Sequence, residues 1–423
     1  MVSQNPFFVG GRVPLESFIG RTSEVKIAFD QISKCGHAAF YGSTGIGKSS
    51  LLQYLASPQA WEMRGLKPSK AFIVYLNCSG IYPFKPSFFW REVLSLLKEQ
   101  AEDNGSLQTA IEQLLQEETV EKGDLRRVLR QIGQQNQFLL LLLDDYDVAL
   151  YPNDQYTEAE MLTFLSEFRD LAVHSQEGRY LSTIVMSFRR LNELGPKLPP
   201  GGSPWYNHYL FLPLRPFSNN EINSLFDLPI TPTLRKGVLE ITGGHPALLQ
   251  IAGYLLYDTL AAQQTPDLEA FTRDFQSRSE QFFHNAWKWS TEVEQLLLML
   301  IALCRLEGRL NRKEQYALVD IDLILSQRSR ELIDLEERGM VKHTVQQEKK
   351  VYSFASSMME WWVIREIENS DNVELQNREK VFLKLMSREQ AQRVKKVIQQ
   401  VWQSREAAKS LIEWIVGTLK ATS

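Results

Sequence analysis

This sequence contains little cysteine and no strong excess of one charge. Three cysteines, Cys35, Cys78 and Cys304, are scattered over 423 residues, and neither their number nor their spacing suits a disulfide framework or a metal site. Reduced thiols in a cytoplasmic protein are the simpler interpretation. The net charge of −4 provides no overall basic field, which argues against avid binding of nucleic acid.

Long apolar runs are also missing. The longest, LLLMLIALC at 296–304, has about half the length that a membrane-spanning helix needs. The first residues, MVSQNPFFVGG, lack both the charged and the apolar region of a signal peptide. We therefore expect a cytoplasmic protein without a membrane span, long enough to form two or three domains.

The stretch GSTGIGKSS at 42–50 matches the pattern G-x-x-x-x-G-K-[ST] of a phosphate-binding loop. It follows a short apolar stretch, HAAFYG (37–42), and precedes a helical one, KSSLLQYLA (48–56), as such a loop must. In this setting Lys48 is expected to reach the β- and γ-phosphates and the Ser49 hydroxyl to bind Mg²⁺. The predicted nucleotide-binding residues of the loop are Gly42, Ser43, Thr44, Gly45, Ile46, Gly47, Lys48, Ser49 and Ser50.

A second strand supplies acidic residues. In QFLLLLLDDYD (137–147), six apolar residues are followed by Asp144 and Asp145. Carboxylate oxygens suit Mg²⁺, which keeps most of its water ligands and takes one or two from the protein. We expect Asp144 to be the metal-side residue, acting through water, and Asp145 to orient or deprotonate the attacking water.

Three further apolar stretches predict strands of the same domain: AFIVYLNCSG (71–80), STIVMSFRR (182–190) and YLFLPL (209–214). Helical spacing between them, in 88–100 and 158–172, predicts an α/β P-loop NTPase fold with a parallel sheet covered by helices on both faces. Arg189 or Arg190, at the end of a strand, would face the γ-phosphate. The alternative is a pair of ordinary surface arginines.

The pattern changes after the fifth strand. Helical stretches fill 215–290, interrupted by GGHP (243–246), which predicts a glycine helix stop followed by a helix that begins with proline. His245 and His284 lack the spacing of metal ligands. The stretches at 291–304, 320–343 and 349–356 suggest a winged helix with QQEK at the tip of its hairpin. The second helix mixes acidic and basic residues, so a structural module is favoured over a DNA reader.

The predicted domains are therefore a P-loop NTPase domain (1–214), a helical lid (215–288), a winged helix (289–366) and a C-terminal helical segment (367–423). In the last, EAAKSLIEWIVGTLKA (406–421) is amphipathic. Its apolar side suits the chain's own core, a partner protein or, least of all, a membrane surface.

Over roughly residues 5–365 these motifs, in this order, resemble the bacterial STAND-type ATPases, a signal-transduction branch of the AAA-like P-loop ATPases. MSFRR is similar to the strand that ends in the sensor arginine of that family, which implies Arg189 for this role. GGHP resembles the signature of the family's lid, whose proline packs on the base, here Pro246. The residues that match the box over the adenine are Phe18, Ile19, Gly20 and Arg21.

The resemblance implies a switch operated by ATP and ADP with Mg²⁺, with slow hydrolysis and nucleotide-dependent homo-oligomerisation. The winged-helix histidine of some branches has no equivalent in YSFASSMMEWW, and we see no long effector domain. A protein partner in trans, recruited by the C-terminal helices, is therefore expected.

Two alternatives stay open. One is a DNA-dependent AAA-like loader or transposition regulator that uses the winged helix. The other is an adaptor that holds ADP permanently, which the intact Lys48, Ser49, Asp144 and Asp145 disfavour.

Overall fold

The computed structural model describes residues 5–198, 201–226, 230–306, 321–346, 348–404 and 407–420. The chain divides into two compact units. The sheet unit consists of Arg12–Gly42 and Gly47–Leu214, and the helical unit contains the described residues before Arg12, Ser43–Ile46 and the chain from Arg215. The sequence motifs divide 215–423 into three domains, and that subdivision stays a prediction.

Five strands form the parallel sheet of the sheet unit, in the spatial order β2-β3-β4-β1-β5. They are β1 (His37–Tyr41), β2 (Ala71–Asn77), β3 (Phe138–Asp144), β4 (Leu181–Ser187) and β5 (Leu210–Pro213). Each of them was predicted from its apolar stretch, and the predicted α/β P-loop NTPase fold is confirmed. The central strand β4 lies between β1, which leads into the phosphate-binding loop, and β3, which ends in the acidic residues.

The sheet unit also contains seven described α-helices, several of which pack against the sheet. They are α1 (Thr22–Ile32), α2 (Lys48–Ala56), α3 (Pro58–Glu62), α4 (Pro86–Gln100), α5 (Gly105–Leu115), α6 (Lys122–Gln134) and α7 (Glu158–Arg169), which continues as a π-turn over Asp170–His174. α2 contacts β2, β3 and β4, while α4 contacts β2 and α6 contacts β3. The five leucines at 139–143 of β3 are fully buried, as expected for a strand of a parallel sheet with both faces covered.

The helical unit has its own apolar core, which extends from Phe7 to Leu419. Its helices are α8 (Asn219–Leu225), α9 (Pro232–Thr242), α10 (Pro246–Ala261), α11 (Leu268–Lys288), α12 (Glu292–Leu306), α13 (Ile321–Ser326), α14 (Ser329–Glu337), α15 (Ser357–Asn369), α16 (Asn372–Leu385), α17 (Arg388–Ser404) and α18 (Ala407–Lys420). Strands β6 (Val341–Gln346) and β7 (Lys349–Phe354) form an antiparallel hairpin between α14 and α15.

The GGHP segment has the predicted structure. Gly243 ends α9 with a φ of 60°, a left-handed conformation that glycine adopts without strain, and Pro246 is the first residue of α10. A Cβ at Gly243 would lie 2.8 Å from the backbone of Ala355, so the close approach of this backbone also requires glycine.

The C-terminal helix α18 packs against α9, α11 and α15 of its own unit. Leu411, Ile415 and Leu419 are at most 3% exposed. Of the three interpretations of its apolar side, contact with the chain's own core is the one that these residues adopt.

Candidate functional site

The loop from Gly42 to Gly47 connects β1 to α2. Gly45 and Gly47 have φ values of 79° and 101°, and α2 begins at Lys48. The first turn of a helix presents N–H groups that no carbonyl of the helix accepts, and these groups attract anions. The backbone of this segment therefore has the conformation that a phosphate-binding loop needs.

The middle of the loop, Ser43–Ile46, belongs to the helical unit. There the Gly45 carbonyl accepts a hydrogen bond of 3.2 Å from the N–H of Ala247, in the first turn of α10. The Ser43 hydroxyl lies 3.3 Å from Nε2 of His245. A Cβ at Gly45 would lie 2.5 Å from a ring carbon of Phe282, so any larger residue would disturb this contact. Residues of the loop are thus in direct contact with the GGHP segment.

Lys48 lies among the acidic residues at the end of β3. Its ammonium donates a hydrogen bond of 2.8 Å to the carbonyl of Gly42. Burial lowers the pKa of Lys48, and the carboxylates of Asp147, Asp144 and Asp145 oppose that shift. Lys48, held in the loop near these carboxylates, is a candidate to bind phosphate oxygens, and a bound metal ion would offset part of the acidic charge.

Asp144 is 1% exposed and is held by two donors. Its Oδ2 accepts a hydrogen bond of 2.8 Å from the Tyr75 hydroxyl, and its Oδ1 accepts one of 3.1 Å from the N–H of Asp145. Asp145 follows in a left-handed conformation, with a φ of 47°, at the start of the 3₁₀ turn Tyr146–Leu150. These contacts fix the carboxylate of Asp144 at the carboxyl end of β3.

A third acidic residue, Asp147, connects β3 to β4. Both of its carboxylate oxygens accept from the N–H of Phe188, at 2.9 and 3.0 Å. Burial raises the pKa of Asp147 to about 6, although the Phe188 hydrogen bond and the nearby Lys48 act in the opposite direction. Asp147 was not among the predicted site residues, even though it stands in the same acidic stretch.

The two arginines that follow β4 have separate protein partners. Nη2 of Arg189 lies 3.1 Å from Oε2 of Glu193, four residues later. Nε of Arg190 donates a hydrogen bond of 2.6 Å to the hydroxyl of Tyr41, at the end of β1. Arg190 thus braces a neighbouring strand, which leaves Arg189 as the better candidate for the sensor arginine.

The predicted adenine box lies between Pro14 and α1. Phe18 stacks on Tyr54 of α2 with 4.4 Å between ring centroids. Arg21 is buried and lies 3.4 Å from Oε1 of Glu24. Gly20 has a φ of 74°. The box therefore packs on the same helix that starts at Lys48, while Ile19 is half-buried and Pro246 lies in the helical unit.

Two further residues at the acidic end were missed. Tyr75 of β2 holds Asp144, and Arg12 lies above the ring of Tyr75, with its guanidinium carbon 4.6 Å from the ring centroid. Their positions depend on contacts between residues 63 and 69 apart in the chain, which no local pattern encodes. Asp147 had a signal in the sequence, the third carboxylate of DDYD.

The donor set fits a nucleotide with Mg²⁺. A glycine-rich loop, an ammonium inside it, the hydroxyl-bearing first turn of α2 and a buried carboxylate at the end of β3 are the groups that such a ligand uses. The described part of the chain holds no group of three His, Cys, Asp or Glu residues arranged for a metal ion. Magnesium at a nucleotide site needs fewer protein ligands, because phosphates and water supply the others.

Comparison with known proteins agrees with this geometry. The family model described as AAA domain matches residues 31–191, which include the loop, β3 and β4. No curated protein matches the chain. Among the described residues, no helix is long and apolar enough to cross a membrane. The match and the site support a P-loop ATPase that binds and hydrolyses ATP.

Several solved structures are similar to the chain in fold. One is a Walker-type ATPase of Pyrococcus abyssi, with a TM-score of 0.49 and 14% identity over 84% of this chain and 99% of that one. Another is the ORC2 protein of Aeropyrum pernix in ADPNP–ADP complexes, with a TM-score of 0.46 and 15% identity over 95% and 97%. The Drosophila ORC bound to DNA has a TM-score of 0.38 and 13% identity over 84% and 89%. These values are too low to say anything about activity.

Proposed function

We propose that the protein is a nucleotide-operated switch of the STAND type, which binds ATP with Mg²⁺, hydrolyses it slowly and changes its assembly state. The observation that carries this proposal is the position of Lys48 between the loop backbone and three carboxylates at the end of β3. Phosphates would bind to the loop and Lys48. Ser49 and Asp144 would hold the magnesium, which screens the charge of the phosphates, and Asp145 would orient the attacking water.

The contacts of residues 43–46 support a switch. The Gly45 carbonyl and the Ser43 hydroxyl contact Ala247 and His245 at the start of α10. A phosphate bound to the loop would therefore change the surroundings of this helix. A ligand shifts such an equilibrium only through its different affinity for two states, and this contact is a place where the affinity can differ.

The contacts of Arg189 support slow hydrolysis. Its guanidinium is paired with Glu193, and to reach a γ-phosphate it must leave this partner. An ATP-bound state then has a lifetime that depends on an exchange of ion pairs. A nucleotide-operated switch needs such a lifetime, whereas an ATPase that turns over rapidly to do mechanical work does not.

A protein partner in trans remains part of the proposal. Because Leu411, Ile415 and Leu419 are buried within the helical unit, the apolar side of α18 would become available only after α18 separates from α9 and α15. We propose that ATP-dependent assembly exposes this side. The homo-oligomer and the partner would then depend on the same nucleotide.

The DNA-dependent alternative is favoured by one observation, the charge of the β6–β7 hairpin. Lys342, Lys349 and Lys350 lie on it, and Val345 is 68% exposed, so the hairpin could contact a phosphate backbone. The preceding helix α14 opposes this role. Arg338, at its end, is 0% exposed and bound to Glu294 and Asp334, so it stabilises the helices and is not available to DNA.

The test is the apparent mass in solution, measured by light scattering with ADP, ATP and a non-hydrolysable ATP analogue. We expect ATP and the analogue to drive assembly of the wild type, while ADP does not and Lys48→Ala stays monomeric. Lys26→Ala, on the exposed side of α1, is the matched control and should assemble like the wild type. If mass does not depend on nucleotide but duplex DNA stimulates hydrolysis, the loader replaces the switch.

A further inference from the structure

Arg12 occupies a position beside the carboxylate that is expected to serve the magnesium ion. Nη2 of Arg12 lies 4.0 Å from Oδ2 of Asp144, the oxygen that also accepts from Tyr75. The same nitrogen donates to the Tyr75 hydroxyl. Arg12, Tyr75 and Asp144 thus form a continuous chain of polar contacts that ends at the acidic end of β3.

Two features hold Arg12 in this place. Its guanidinium lies over the face of the Tyr75 ring, at 4.6 Å from the centroid, where a cation is attracted by the ring. The next residue, Val13, donates from its N–H to the hydroxyl of Ser50, at 3.2 Å. Ser50 lies in the first turn of α2, two residues after Lys48, so the backbone at Arg12–Val13 is fixed against the helix that starts at the phosphate-binding loop.

The Tyr75 hydroxyl remains a donor. It donates a hydrogen bond of 2.8 Å to Oδ2 of Asp144 and accepts one from Arg12. The side chain of Arg12 is 42% exposed, so water reaches it and it can change position at little cost.

We propose that Arg12 sets the magnesium affinity of the nucleotide site by competing for Asp144. A guanidinium at this carboxylate and a divalent cation served by it repel each other and share the same negative charge. The positive charge of Arg12 therefore weakens the binding of Mg²⁺. Because bound Mg²⁺ helps to retain the nucleotide, Arg12 also speeds the release of the nucleotide. This inference rests on the proposed nucleotide site and adds to it a residue that controls exchange.

The direct experiment is a magnesium titration of nucleotide release. A fluorescent ADP analogue is bound to the full chain, and its dissociation rate is measured against Mg²⁺ concentration for wild type, Arg12→Gln and Arg12→Lys. Arg12→Gln should lower the half-maximal Mg²⁺ concentration about fivefold, the size expected for one partly exposed charge. Arg12→Lys should stay close to the wild type. Affinity for the analogue in EDTA should be the same for all three.

A matched control is Arg64→Gln. Arg64 also lies over an aromatic ring, that of Phe29, at 5.0 Å, but it has no acidic partner of the magnesium site. It should leave the magnesium dependence unchanged. In a Tyr75→Leu background, which removes the ring that holds Arg12, Arg12→Gln should change the half-maximal Mg²⁺ concentration less than twofold. In a Tyr75→Phe background, which keeps the ring, Arg12→Gln should retain most of its effect.

Three results would overturn the proposal. The first is an Arg12→Gln variant, folded as judged by thermal unfolding, with the magnesium dependence of the wild type. The second is a half-maximal Mg²⁺ concentration that is higher for Arg12→Gln than for the wild type. The third is loss of affinity in EDTA, which would make Arg12 a direct ligand of the phosphates. Failure of the wild type to bind the analogue at all would instead reject the nucleotide site itself.

Discussion

The ends of the neighbouring strands β3 and β4 carry opposite charges and hold them in different ways. At the end of β3, Asp144 is fixed by two donors, and Asp147 accepts from Phe188 with both oxygens. At the end of β4, the side chain of Arg189 pairs with Glu193, and that of Arg190 donates to Tyr41. The two carboxylates are held by backbone N–H groups and the Tyr75 hydroxyl. Arg189 is instead paired with another side chain, Glu193, and can exchange it for a ligand.

The difference indicates which part of the site is preformed and which part responds to the ligand. Groups that serve a metal ion benefit from a fixed position, because no reorganisation is then needed when the ion binds. A residue that distinguishes ATP from ADP must instead have two alternative positions. Asp144 suits the first role, and Arg189 suits the second.

The largest effect on ATP binding and hydrolysis is expected when Lys48, the cation of the loop, is removed. Lys48→Ala should reduce ATP hydrolysis about a hundredfold or more and abolish tight binding, because no other group in the loop replaces its charge. Steady-state hydrolysis and nucleotide titration measure this, with Lys26→Ala as the control. Retained binding would mean that the phosphates lie elsewhere.

The second effect concerns the basic end. Arg189→Ala should lower hydrolysis about tenfold, since a donor to the developing charge is lost. Glu193→Gln removes the ion pair of Arg189 and should raise the rate severalfold. If both substitutions lower the rate equally, the pair acts as a structural unit and Arg189 is not a sensor.

The third effect concerns the pH dependence of stability that Asp147 causes at the end of β3. The pKa of Asp147 rises from its usual 3.8 to about 6 in the folded protein, so folding favours its protonated form. Stability therefore falls as the pH rises from about 4 to about 6, and Asp147→Asn should remove about 2 kcal/mol of this loss. Urea unfolding at pH 4 and pH 7 measures it.

For this prediction the comparison between wild type and variant matters, because other groups also titrate. Burial lowers the pKa values of His37 and His208 to about 4 and about 3. These two histidines therefore reduce the stability of the folded protein as the pH falls below about 6.5, the opposite direction to the effect of Asp147. An equal pH dependence in wild type and Asp147→Asn would contradict the buried, proton-binding carboxylate.

The smallest effect is expected at Arg190. Arg190→Gln removes a hydrogen bond to Tyr41 and should cost about 1 kcal/mol of stability or less, with hydrolysis within twofold of the wild type. Thermal unfolding and steady-state rates measure both. A tenfold loss of activity would exchange the roles of Arg189 and Arg190.

Much of the sheet unit could be predicted from the sequence because its signals are local. The leucines of β3 form a continuous apolar run, and Gly45 and Gly47 of the loop stand at positions where φ is positive. The acidic pair followed the apolar run directly. Helix boundaries have weaker local signals, and α4 begins at Pro86 instead of the predicted residue 88.

The missed residues depend on strand order and long-range packing. Asp147 reaches Phe188 because β4 lies beside β3, and this order does not follow from the chain direction. Arg12 reaches Asp144 both directly, at 4.0 Å, and through Tyr75, from a segment that has no pattern of its own. The family resemblance already favours Arg189 as the sensor arginine, whereas the hydrogen bond of Arg190 to Tyr41 on β1 is a long-range contact that the sequence does not show.

The most direct test of the account is a crystal structure of the protein with Mg²⁺ and a non-hydrolysable ATP analogue. We predict that the phosphates contact Lys48, that Asp147 still accepts from Phe188, and that Arg189 has left Glu193 for the γ-phosphate. A structure in which Arg189 remains on Glu193 while the triphosphate is bound at Lys48 would contradict the switch. Phosphates bound away from the loop would contradict the site.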